Sequence, residues 1–197
     1  NRALKPVQRN IEIAQATIAQ DANNYPDSHK VALAGANKWD ADNVDPTEDI
    51  ITAINVIELD SGGGHIVVHL GVEVMNALRT NKAIADKIKH TERSIVTEEL
   101  LASLWGISKV VVGRSLKKVD GVRQRIWGKH VVLGHVPMSP VQDEPSFGYT
   151  FRLRGTPTVE TPYYRKKNRS WVYPVDSDTD TQLLMPEAGY LIQNAVA

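Results

Sequence analysis

Val96–Arg114 reads VTEELLASLWGISKVVVGR, which parses into one helix, one glycine stop and one strand. Thr97 suits the helix N-cap, because its hydroxyl can accept a bond from an unpaired first-turn amide. Glu98 and Glu99 then place negative charge at the positive end of the helix dipole. Leu100, Leu101 and Leu104 form an apolar stripe that ends at Trp105. Gly106 stands where a helix finishes through a left-handed residue. Val110, Val111 and Val112 are a continuous apolar run, the pattern of a strand covered on both faces, and Gly113-Arg114 closes it. Nothing in the stretch is a catalytic motif; it is scaffold.

Toward the N-terminus, Gly71 to Arg79 and Lys82 to Lys89 read as two short helices with Val72, Met75, Leu78, Ile84 and Ile88 inward. His65 to His69 is a short strand. Asp45-Pro46-Thr47-Glu48 is a helix start, with an Asp cap, Pro at the first helical position and Glu three residues after the cap. Ile50, Ile51, Ile54 and Ile57 give that helix an apolar face, and Ser61 to Gly64 ends it. Gly35 to Val44 reads as polar loop and Lys30 to Ala34 as a short strand. Asn23 to Asp27 breaks a first helix, Leu4 to Gln20, in which Pro6 fits the first turn. Leu4, Val7, Ile11, Ala14 and Ile18 form its single narrow stripe, suited to packing on one neighbour.

Toward the C-terminus, Trp127 to Pro137 is a strand, with Gly134 a bulge or close-packing point. Ser139 to Gly148 reads as loop. The pattern then alternates: Tyr149, Phe151 and Leu153 share one face, Thr150, Arg152 and Arg154 the other. Thr158 to Tyr164 and Ser170 to Val175 flank Arg165 to Arg169, which predicts a hairpin with a basic tip. Pro162 and Pro174 suit edge strands or bulges. Gln182 to Met185 and Tyr190 to Gln193 are short strands. The mixture of helices and strands is an α+β pattern, without repeats or low-complexity tracts.

Composition narrows the classes. Of 197 residues, 42% are hydrophobic and 23% charged, as in globular proteins. No run of about 18 apolar residues predicts a membrane span. The chain opens at Asn1 without a charged-then-apolar leader, which fits a fragment or a processed product. With no cysteine, disulfides and thiolate metal sites are excluded, and a reducing compartment fits. Net charge is zero but unevenly spread. Lys38 to Asp60 carries seven acidic residues against one basic; Lys109 to Lys129 carries seven basic against one acidic. Arg152 to Arg169 is again basic. Solvated faces explain such segregation, and so do patches of opposite sign that pack copies of one molecule side by side.

Candidate chemistry is sparse. Asp176, Asp178, Asp180 and Glu187 have the carboxylate spacing of a calcium loop, yet Thr181 stands where the turn wants Gly and the flanks read as strands. An acidic turn is the better reading. His65 and His69 share a strand face but lie about 13 Å apart, too far to grip one metal ion. His130 and His135 fall on opposite faces, so structural histidines are expected. There is no G-x-S-x-G elbow, and Gly62 to Gly64 follows a helix and precedes a strand, the wrong order for a phosphate cradle. Arg165, Lys166, Lys167 and Arg169 are the candidate phosphate contacts.

Six blocks in fixed order carry a resemblance: LGVEVMNAL, NKAIADKIKHT, VTEELLASLWGISKVVVGRS, IWGKHVVLGHVP, FGYTFRLRG and PEAGYLIQNAV. Together, from about Asn24 onward, they resemble the major capsid proteins of tailed bacteriophages and prophages. The resemblance implies the Hong Kong 97-type fold, with an axial (A) and a peripheral (P) domain discontinuous in sequence. Residues 1–44 would be the P-domain spine helix and its connection, 45–146 the A domain, 147–185 the P-domain strands and 186–197 a strand returning to the A domain. The family's N-terminal arm and E-loop have no counterpart in this chain.

The implied function is that of a structural shell subunit, not an enzyme, that self-assembles into pentamers and hexamers around double-stranded DNA. Scaffolding, portal and decoration proteins are the other partners implied, with no cofactor, no metal and no membrane. Synthesis in the host cytoplasm and residence in the virion capsid follow from the same resemblance. Charge asymmetry nominates Lys117 and Lys118 as subunit contacts facing Asp45 and Glu48 of another copy. The rival readings are an encapsulin-type nanocompartment shell, a DNA-binding module using Arg165 to Arg169, and a small hydrolase whose site has no recognisable motif.

Overall fold

A computed structural model describes residues 4–41, 43–89, 95–139, 144 and 146–197. The first helix, α1 (Leu4–Ala19), buries only Ala16 and Ala19 and half-buries Leu4, Val7, Ile11 and Ile18, in keeping with its narrow stripe. A short strand, β1 (Lys30–Ala32), precedes α2 (Pro46–Ser61). The Asp45 carboxylate accepts from the Thr47 amide at 3.0 Å to start α2, and Gly62 ends it in the left-handed conformation. Then follow β2 (Ile66–Gly71), α3 (Val72–Thr80), α4 (Lys82–Ile88), α5 (Glu98–Trp105) and β3 (Lys109–Gly113). Thr97 caps α5 through the Leu100 amide at 3.2 Å, and Gly106 closes it at φ 67°.

The second half is strands: β4 (Leu116–Val119), β5 (Val122–Arg125), β6 (Val131–His135), β7 (Gly148–Arg152), β8 (Thr158–Val159), β9 (Tyr163–Arg165), β10 (Ser170–Val172), β11 (Val175–Asp176), β12 (Thr179–Leu183) and β13 (Gly189–Gln193). Five strands make the central sheet, in the order β1-β13-β6-β2-β3. β6 runs antiparallel to both neighbours and all its residues are buried. The C-terminal strand β13 is inserted between β1 and β6, so the two ends of the chain meet in one sheet. Residues 30–32 therefore lie in the same sheet as strands of the 45–146 stretch.

Alternation along β6 and β13 divides the core. Val131, Leu133, Tyr190 and Ile192 face the helical side, where Ile50, Ile57, Leu70, Met75, Leu78 and Leu101 are buried. Val132 and Leu191 face the other way, toward Ala16, Ala19, Tyr25, Ile126 and Trp127. The end of α1 thus covers the second face.

Several expectations shift. The valine run is not covered on both sides: β3 is the sheet's edge strand, with Val110 buried and Val111 and Val112 only half-buried. The stretch from Gly35 to Val44 is more than polar loop, since Trp39 is fully buried and its indole N–H donates to Asp49 Oδ2 at 2.7 Å. The strand expected at Gln182 to Met185 is β12, which starts earlier because Thr179 to Leu183 pair with β7. Half of the loop expected over Ser139 to Gly148 lies outside the described residues, as does Asp42 of the acidic stretch, and Gly148 itself opens β7.

Gly134 proves a close-packing point in a regular ladder. It pairs directly with Gly189 across β6 and β13, and the Phe147 ring rests on both. Phe147 also stacks on Tyr25, with ring centroids 5.5 Å apart. A Cβ on Gly189 would overlap that ring, although its φ of −127° suits any residue. Gly189→Ala should therefore destabilise the fold by about 1–3 kcal/mol through overpacking. Urea denaturation measures this, and an unchanged midpoint would refute the packing role.

Candidate functional site

β7–β12, β8–β11 and β9–β10 are successive antiparallel pairs. They make one two-stranded ribbon that runs from Gly148 and Leu183 to a tip at Lys166–Asn168. At its root the threonine face meets α1: Gln15 donates to Thr150 Oγ1 at 2.9 Å, and the Thr150 and Thr181 hydroxyls lie 3.1 Å apart. Thr179 and Thr181 line the same groove as Val7, Ile11 and Ala14. Helix α1 therefore packs on the polar face of β7, and the opposite face carries the apolar side chains.

Along that ribbon Phe151 is 50% exposed, Leu153 62% and Trp171 61%, with Tyr163, Tyr164 and Tyr173 similarly open. Trp171 and Tyr164 pair edge-to-face across the strands at 5.7 Å. The predicted basic tip is there. Arg165, Lys166, Lys167 and Arg169 are all exposed, and Arg169 takes a left-handed φ of 45°. None of the four forms an ion pair among the described residues. Two strands with apolar side chains in water are marginal by themselves, and an exposed apolar run of this kind marks an interaction surface.

Lys117 and Lys118 fall on β4, which pairs with β5 in a second hairpin that the sequence reading missed. Its turn is Asp120-Gly121, both at positive φ (49° and 85°). Asp-Gly between valines is the usual sequence signal for such a turn. Lys118 lies directly opposite Arg123, and Lys117 opposite Gln124, on the other face. Asp45 is committed within its own subunit: it caps α2 and pairs with Lys87. Partial burial pushes its carboxyl up, but the bonds from Lys87 and Thr47 prevail and hold it below the usual range. Glu48 is exposed on the outer face of α2. The structure thus does not bring Lys117 and Lys118 to these carboxylates within one chain.

A groove of about 400 Å³ lies under α1, lined by Glu12, Gln15, His69, Trp127 and Phe147 among others. His69 stacks on Trp127 with centroids 3.6 Å apart, and the Trp127 indole donates to Glu12 Oε1 at 3.1 Å. His29 is buried, with Nε2 3.1 Å from Asp60. The His130 ring accepts from the Asn194 amide. Asp176 ends β11 while Asp180 sits within β12, so the acidic spacing is spread along strands. Among the described residues no three His, Asp or Glu side chains are grouped to hold a metal. No described helix is long and apolar enough to cross a membrane.

A sequence model of the family "phage major capsid protein E" matches residues 14–132. The chain belongs to this family. The match takes in the end of α1, the body helices and the strands up to the start of β6. The chain is 30% identical to a major capsid protein of Burkholderia phage BcepMu, over 96% of this chain and 63% of that protein. Its structure resembles that of a phage-related protein from Bordetella bronchiseptica RB50 (TM-score 0.88, 33% identity), covering 98% of this chain and 67% of the other. A virus-like particle protein from Pyrococcus furiosus shares the fold at 12% identity, with a TM-score of 0.55 over 95% of this chain and 63% of that one. The fold is the Hong Kong 97 type of phage capsid proteins, and the α+β expectation holds. The chain spans about two thirds of the length of these relatives.

Burial brings the His69 imidazole down to about 4. The unfolded chain takes that proton near pH 6.5 and the folded chain near 4, so the folded state loses stability as pH falls through this window. Allowing for partial exposure of the ring, the loss is on the order of 2 kcal/mol. Compared with His69→Phe, which keeps the stack on Trp127, the wild type should lose that much more between pH 6.5 and 4 in chemical denaturation. Equal slopes would contradict it.

Proposed function

We propose that the protein to which this chain belongs is the major capsid protein of a tailed phage or prophage. Made in the host cytoplasm, it self-associates into pentamers and hexamers and resides in the virion capsid as the structural wall around double-stranded DNA. Scaffolding, portal and decoration proteins are its further partners in this reading, and no cofactor or catalytic step enters it.

The observation that carries this reading is the orientation of the ribbon. At its root the threonine side is taken by α1, and beyond it Phe151, Leu153, Tyr164 and Trp171 are left exposed in the subunit. Burial of apolar area stabilises by about 25 cal/mol per Å², so side chains such as Phe151, Leu153 and Trp171 gain from a neighbour what their own chain does not supply. Many weak contacts of this kind, repeated by symmetry, close a shell. The basic tip, Arg165 to Arg169, is proposed to meet phosphate, a contact that reads charge and not sequence.

Electron microscopy of the full-length product, expressed alone and with its neighbouring genes, tests the reading. Closed shells tens of nanometres wide are expected, and only dispersed subunits under every condition would refute it. Phe151→Ser with Leu153→Ser should leave the subunit folded and stop assembly. Neutralising the four tip residues to Ser should leave shells that retain less DNA; normal filling would remove the tip from that role.

A further inference from the structure

The β4–β5 hairpin stands off the body, with residues 118–124 all exposed. Its register sets Lys118 opposite Arg123 and Leu116 opposite Arg125, on one face. Like charges directly opposite in a ladder destabilise it. Val119 and Val122 pair beside the turn, 38% and 62% exposed. The hairpin thus carries a cationic face with Leu116, and a second face with the two valines and Lys117; among the described residues Lys118 and Arg123 have no ion-pair partner.

The complement lies on α2. One face of this helix packs into the core through Ile50, Ala53, Ile54 and Ile57. The other bears Glu48, Ile51, Thr52, Asn55, Glu58 and Leu59, all exposed, with Leu59 at 84%. These residues recur at three- and four-residue spacings, so they share one stripe: apolar knobs flanked by carboxylates. It spans about 16 Å from Glu48 to Leu59 at 1.5 Å per residue, a length comparable to the hairpin.

The C-terminal end of α2 and the root of the hairpin lie toward opposite edges of the sheet. Asp60, at the end of α2, lies 3.1 Å from His29, which immediately precedes the edge strand β1. The hairpin begins just after β3, the other edge. A hairpin rooted toward one edge and a helix ending toward the other suit a head-to-tail contact between copies, the kind that closes a ring.

We infer that the β4–β5 hairpin of one subunit docks on the outer face of α2 of the next, with Lys118 and Arg123 against Glu48 and Glu58 and Leu116, on the same hairpin face, against Ile51 and Leu59. The inference rests on the shell-subunit reading and names a contact within it. Of the four candidate contacts Lys117, Lys118, Asp45 and Glu48 it keeps Lys118 and Glu48, since Lys117 faces away from the cationic side and Asp45 is already bonded.

Charge exchange in the full-length protein tests it, with assembly read by sedimentation. Lys118→Glu with Arg123→Glu should lower the assembled fraction at least tenfold, and so should Glu48→Lys with Glu58→Lys. All four changes in one chain should restore it, because the charges are exchanged across the contact. Melting temperatures of the dispersed subunits should stay at the wild-type value. If the wild type itself never assembles, the shell reading fails. If it assembles but the hairpin reversal has no effect, or the fourfold variant is not rescued, the docking inference alone is overturned. A lowered melting temperature of dispersed subunits in either double variant would also overturn it, by assigning these charges a role inside the subunit.

Discussion

Phe147 seated on the facing glycines Gly134 and Gly189 joins the two parts of this molecule. Its ring needs two missing side chains on adjacent strands, and the β6–β13 pairing supplies them. Phe147 immediately precedes β7, so the seat fixes where the ribbon leaves the body. The Tyr25 ring stacked beside it links the same point to the segment just after α1. Sheet, α1 and ribbon therefore meet at one small patch of contact.

The body on one side of that joint is self-sufficient. Its central strands are covered on both faces, α2, α4 and α5 carry side-chain N-caps, and Trp39 and Asn81 are bonded: Asn81 holds the carbonyls of Trp39 and Val44 and accepts from Ile84. The ribbon and the β4–β5 hairpin on the other side are not. Each is two strands wide and leaves apolar and cationic side chains in water. Exposed apolar side chains of this kind mark interaction surfaces.

Much of the body was legible in the residues. Asp45 and Thr97 as caps, Gly62 and Gly106 as stops, and the isoleucine face of α2 are local rules, and the structure follows them. The edge position of β3 was not legible, because a valine run looks alike in the centre and at the rim; only pairing order separates them. The role of Gly189 was hidden for a similar reason, since it depends on a partner 55 residues away. The β4–β5 turn carried its Asp-Gly signal in plain view, overlooked beside the charges around it. The basic tip emerged where expected, yet alternation alone did not reveal that α1 takes the threonine face and leaves Phe151 and Leu153 outside.

Hydrogen exchange on the full-length protein, dispersed and assembled, tests most directly whether the body stands alone while the ribbon depends on neighbours. Amides of β2, β6 and β13 should be protected in both forms, because their bonds lie within a covered sheet. Amides along 148–183 should exchange rapidly in dispersed subunits and slowly in shells. Equal protection of the ribbon in both states would mean that it is stabilised within its own subunit, and would contradict the central claim.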